Sequence, residues 1–186
     1  MTQTNSQFIA TPAQVANVVL TLTVGKNDIY LLTPYKLGKL VYMVYAWYYA
    51  LTGNQLFYST PKLGENGPVI EEIDSQFAQY KNNIIPIGAR ASTYDVDRGE
   101  ELGDLSIDNK EHQNIINIVS GVVENYKNYN DNELRNLTHE QGSVWSVAMN
   151  KGLKIGDNIT DFQDIKQRAE VAIKKFIESK KQALKH

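Results

Sequence analysis

Few residues of this 186-residue chain can do acid–base or nucleophilic chemistry. There is no cysteine, which excludes thiolate nucleophiles, thiolate metal ligands and disulfides. The three histidines, His112, His139 and His186, are far apart and lack the ligand spacing of a zinc site. Gly25-Lys26 is a lone glycine before a lysine, not a phosphate-binding loop. Gly142-Ser143 lies outside any G-x-S-x-G context. The best enzymatic candidate is His139-Glu140, close to Asn136 and Ser143, as the acid–base pair of a small hydrolase. Adjacent residues of a helix point about 100° apart, which works against one catalytic unit. A histidine that hydrogen-bonds to fix the turn around Gly142 and Trp145 is the preferred reading. No catalytic residue is assigned, and no cofactor or metal motif is found.

Two other groups suit binding. Lys36 and Lys39 are three apart and share a helix face, in opening turns where the helix dipole disfavours cations. Either they pair with carboxylates such as Glu65, Glu71 or Glu72, or they form a cationic spot facing an acidic partner. Tyr42, Tyr45, Tyr48 and Tyr49 crowd one helix. Tyrosine suits both core edges and protein interfaces, so an exposed aromatic patch stands beside the core reading.

Helices must position these groups. Thr11-Pro12 reads as an N-cap with proline at the first helical position, opening a helix to Val24 that Gly25 ends. Thr33-Pro34 repeats the signal for a helix over 35–52, stopped by Gly53. That second helix is apolar nearly all round, the mark of a buried centre. Leu56-Phe57-Tyr58 and Pro61-Lys62-Leu63 suggest a small hairpin within 55–66. A short helix is expected over 69–80, then a long loop or arm over 81–106. Asp108 or Asn109 caps a third long helix with a stripe at Ile115, Ile118, Val119, Val122, Val123 and Tyr126. Asn130 or Asp131 caps a short helix, and another holds Val144, Trp145 and Ala148. The last helix starts near Thr160-Asp161, with a narrow stripe through Phe162, Ile165, Ala169, Ala172, Ile173, Phe176 and Ile177. The fold expected is therefore mainly α, built on the central helix.

Charge narrows the partners. Nineteen basic against twenty-one acidic residues leave −2 overall, without the basic excess of a general nucleic-acid binder. Acids gather between Asp95 and Glu111 and bases in the last helix, as solvated surface or as partner-facing patches. The longest apolar run, Leu40 to Leu51, has twelve residues, short of the roughly 20 that cross a membrane. Met1 to Gln7 does not read as a secretory signal, so a soluble, cytoplasmic protein is expected.

The blocks Lys36-Leu37-Gly38-Lys39-Leu40-Val41-Tyr42, Trp47 through Phe57, Gly67-Pro68-Val69, and Leu137-Thr138-His139-Glu140 with Trp145 and Ala148 occur in order. Together they resemble the Panacea domain, the SocA-like antitoxin family also described as phage-associated GepA-like proteins. The resemblance covers residues 11–150, leaving 151–186 as a C-terminal helical extension packed on the same domain. Departures include Gly38 for a usual glutamine, Leu63-Gly64-Glu65-Asn66 before Gly-Pro, and Val144 before Trp145.

The resemblance implies a non-enzymatic antitoxin that binds the toxin encoded by a neighbouring gene. An adaptor delivering the toxin to a cellular protease is the alternative, ahead of the small hydrolase of His139 and Glu140. A DNA-binding autoregulator rests only on the Lys-rich last helix, which also allows self-association into a homo-oligomer. Expected toxin contacts are Lys36, Lys39, Tyr42, Tyr45, Tyr49, Asn66, Gly67 and Pro68. Trp47, Gly53, His139, Glu140 and Trp145 are assigned to holding the fold.

Overall fold

The structure, a computed structural model, describes residues 8–23, 32–96 and 98–185. Gly25, Lys26 and His186 lie outside the described residues. All but one of the described α-helices, that over Glu71–Phe77, open on a side chain that satisfies amides the first turn leaves free. Helix α1 (Pro12–Thr23) begins with a reciprocal pair, Thr11 Oγ1 accepting from Gln14 N–H and Gln14 Oε1 from Thr11 N–H. Helix α2 (Pro34–Thr52) is capped by Thr33, which accepts from Lys36 N–H, and closes on Gly53 in the left-handed region at φ 74°. Asn109 caps α4 (Lys110–Tyr126) and Asn130 caps α5 (Asp131–His139) in a capping box with Glu133. Ser143 and Asp161 cap α6 (Val144–Asn150) and α7 (Phe162–Ala183). Helices make up 57% of the described residues, so the fold is mainly α.

The centre is α2. Thirteen consecutive residues, Lys36 to Tyr48, are buried, so this helix has no solvent face along that length. It packs against α1, α4 and α7, with the shorter α3 (Glu71–Phe77) beside it. Trp47 meets Phe176 of α7 and Tyr126 of α4, with ring centroids 5.6 and 6.4 Å away. Gly121 of α4 makes room for that indole, since a Cβ there would stand 3.3 Å from it. Each large apolar side chain so enclosed contributes roughly 1.5–3 kcal/mol. Among the described residues no helix is long and apolar enough to cross a membrane.

The hairpin forms later than the alternation suggested, as β1 (Lys62–Gly64) antiparallel to β2 (Gly67–Val69). Leu56 and Phe57 are both fully enclosed, and consecutive buried side chains do not fit a half-buried strand. The helix expected over 69–80 is α3 followed by a single 3-10 turn at Ala78–Tyr80. The expected long loop is an arm with its own two-residue strands, β3 (Tyr94–Asp95) and β4 (Glu100–Glu101).

That arm is fastened to α1 by two amides. Asn17, 2% exposed, donates to the Ala91 carbonyl at 3.1 Å and accepts from its N–H at 2.8 Å. Gln14 donates to the Gly103 carbonyl at 2.9 Å. Asn17→Leu orphans both backbone groups of buried Ala91, at about 1–3 kcal/mol each. The expected result is an unfolding free energy lower by about 2–5 kcal/mol and faster proteolysis within 81–106. An unchanged urea midpoint and cleavage pattern contradicts the fastening.

Candidate functional site: a hairpin turn clamped by motif side chains

The turn between β1 and β2 is where α2, α5 and α6 converge. Four of its carbonyl oxygens each meet a side chain. Trp145 Nε1–H donates to Gly64 O at 2.7 Å, and His139 Nε2 lies 3.1 Å from Glu65 O. Tyr35 Oη donates to Asn66 O at 3.1 Å, and Lys39 Nζ donates to Pro68 O at 2.7 Å. Gly67 sits at φ +100°, and a Cβ there would lie 2.5 Å from Thr138 Oγ1 and 3.3 Å from Lys39 Nζ. Only glycine suits both that backbone and that space. The outer edge of β1 is held too: Leu63 N–H donates to Asp157 O, Gly156 N–H to Leu63 O and Ile159 N–H to Pro61 O.

His139 is pinned on three sides. Its Nδ1 is 2.9 Å from Arg135 O, and its ring stacks on Trp145 with centroids 4.2 Å apart. Both nitrogens face backbone oxygens, so neither is open to a substrate. Glu140 does not join it as an acid–base pair but makes an ion pair with Arg168 of α7. Among the described residues, no three of His, Asp and Glu gather as metal ligands.

The two lysines correct the expectation of a cationic surface spot. Lys36 is 5% and Lys39 2% exposed. Neither pairs with Glu65, Glu71 or Glu72; it is Lys62 that meets Glu71, at 2.5 Å. Lys36 Nζ donates to Lys127 O at 2.7 Å, at the C-terminal end of α4, where the helix dipole favours a cation. Burial lowers its pKa, with Asp131 and Glu133 opposing. Burial also draws Lys39 down to about 8, while Asp74 pulls the other way. The Lys39 ammonium lies 5.1 Å from the Tyr35 ring centroid as well.

The remaining expected contacts divide. Tyr42 and Tyr45 are buried, and the Tyr45 hydroxyl has no hydrogen-bond partner among the described residues. Tyr49 is half-buried against Phe162, with centroids 5.4 Å apart. Gly67 and Pro68 are buried and Asn66 is half-buried, its carbonyl taken by Tyr35. As surface contacts, Lys36, Lys39, Tyr42, Tyr45, Gly67 and Pro68 are thus withdrawn, because the fold uses their polar atoms or encloses their side chains. Trp47 is buried, Trp145 is half-buried, and Gly53 closes α2. The role of Tyr35 went unread, although its i,i+4 spacing to Lys39 was a usable signal. Nothing local pointed to Arg168.

A buried helix whose polar side chains grip a hairpin turn from within defines a helical scaffold domain. Over residues 37–146 the chain matches the family described as antitoxin SocA-like, Panacea domain, and it belongs to that family. The matched span holds Lys39, the hairpin, His139 and Trp145; Tyr35 precedes it and α7 follows it. No curated protein and no solved structure matches the chain. Membership points to an antitoxin role, with a toxin as partner in general terms.

The enclosed ammonium makes stability depend on pH. Below pH 8 both states hold the Lys39 proton, and the fold bears the full cost of enclosing it. Between about 8 and the ordinary lysine value near 10.4 the folded state releases the proton first, so stability rises with pH. Wild-type unfolding free energy measured against Lys39→Met should therefore climb across pH 8–10, by at most about 1.4 kcal/mol per pH unit. A difference flat over that range places the ammonium in water.

Proposed function

We propose that this chain is an antitoxin that neutralises the product of a neighbouring gene by binding it directly and covering its active surface. The observation that carries this reading is the family match over residues 37–146. The clamp supports it: the side chains a hydrolase would recruit are engaged elsewhere, His139 on two carbonyls and Glu140 on Arg168. A stable complex of this kind typically buries about 1,200–2,000 Å² and depends on a few anchors.

The test is growth of cells expressing the neighbouring open reading frame, with and without this chain, in hosts that have or lack the housekeeping proteases. Direct masking restores growth in both hosts, and the two proteins co-purify. Rescue that vanishes with a protease assigns the chain to delivery instead. No rescue in either host removes the antitoxin reading.

A further inference from the structure

A shallow groove runs along the outer flank of α7, beside the end of α2. Its floor is apolar, made by Ala50 and Leu51 of α2 with Ile173 and Ile177 of α7. Leu51 is 56% and Ile177 46% exposed, and Leu184, two turns further along the same flank, is 88% exposed. Only Ile165 and Ala169 of α7 are buried, and every described residue from Ile177 onward is exposed. The end of this helix therefore receives nothing from the core, although helices in proteins are held mostly by packing an apolar face. Single exposed leucines and isoleucines are ordinary, but an apolar strip with a charged border marks an interaction surface.

The border indicates what fits. Four charged side chains line the same groove, in the order Glu170, Lys174, Glu178, Lys181. Among the described residues the last three make no ion pair, and Glu170 meets only Lys166, at 3.9 Å. Along the helix the signs run minus, plus, minus, plus, and in reverse they run plus, minus, plus, minus. A second α7 laid antiparallel, on a two-fold axis between Lys174 and Glu178, therefore sets every charge against its opposite. Glu170 faces Lys181 of the second copy, and Lys174 faces Glu178. A parallel neighbour in register would set like on like. The same axis brings the two Ile177 side chains together beside Leu51. Exposed ion pairs add little affinity, so the apolar strip supplies the attraction while the charges fix direction and register. A surface complementary to its own copy is what a closed two-fold dimer requires.

We propose that this groove is the interface of a symmetric homodimer, in which α7 of each copy lies antiparallel in the groove of the other. The proposal needs no toxin and stands apart from the antitoxin reading.

Sedimentation equilibrium of the full chain, across the micromolar range, is the test. Wild type should approach a dimer and nothing larger. Ile177→Asp should be monomeric, with its helix content by circular dichroism unchanged, because Ile177 is exposed in the single chain. Lys174→Glu and Glu178→Lys each place like charges together twice across the axis, and each should weaken the dimer about tenfold. Mixing these two variants should restore wild-type affinity, since every contact in the mixed dimer is again between opposite charges. A monomeric wild type overturns the proposal, as does a dimer that Ile177→Asp leaves intact. Single variants that weaken the dimer but do not restore it when mixed overturn it too, by showing that the charges pair within one helix. A wild type that is monomeric alone, and whose binding to the neighbouring gene's product is lost in Ile177→Asp, gives this surface to the toxin instead.

Discussion

The ammonium of Lys39, enclosed beneath the hairpin and donating to the Pro68 carbonyl, is the interaction on which the other elements depend. Enclosing a charge is costly, and the cost is tolerable only when the charge is well partnered. Here the partner is a backbone oxygen in a turn that would otherwise be an orphan inside the domain. The lysine therefore demands Pro68 at one position, and Pro68 demands the tight turn at Gly67. Thr138 in turn requires a glycine at 67, because it stands where a methyl group would be. An apolar residue at position 39 would fill the volume and leave the carbonyl unpaired. The register of β1 on β2, and so the seat of α5 and α6, follows from this chain of requirements.

The same arrangement explains how a family signature can belong to a scaffold. Tyr35, Lys39, His139 and Trp145 act on main-chain oxygens at Asn66, Pro68, Glu65 and Gly64. Their geometry specifies how a turn is held, and leaves the outer face of the domain free of that task. In this chain that face includes α7, which follows the matched span and covers part of α2. Through the Arg168–Glu140 ion pair, α7 is also tied to the end of α5.

Much of the helical frame was legible because its determinants are local. Thr33-Pro34, Asn109 and Asn130 with Glu133 announce helix starts within four residues, and Gly53 announces a stop. The all-round apolar character of α2 announces its burial. The site was less legible because its partners are distant in sequence. Pro68 is 29 residues from Lys39, Lys127 is 91 from Lys36, and Ala91 is 74 from Asn17. A cation followed by no nearby acid reads as surface until a carbonyl from another element arrives. The hairpin was placed a few residues early for a related reason. Alternation at Leu56 and Phe57 is a local pattern, and burial from both sides overrode it.

Native-state hydrogen exchange at Leu63 and Ile159 tests the clamp most directly, since their amides hold the edge of β1. If the turn is locked to α2 as described, these amides exchange only through global unfolding. Their opening free energy and denaturant dependence then match those of Leu40 and Val44 within the central helix. Exchange at Leu63 and Ile159 through a small, denaturant-independent opening, while Leu40 and Val44 stay protected, would show a hairpin that opens on its own. That result would contradict a fold organised around the enclosed lysine.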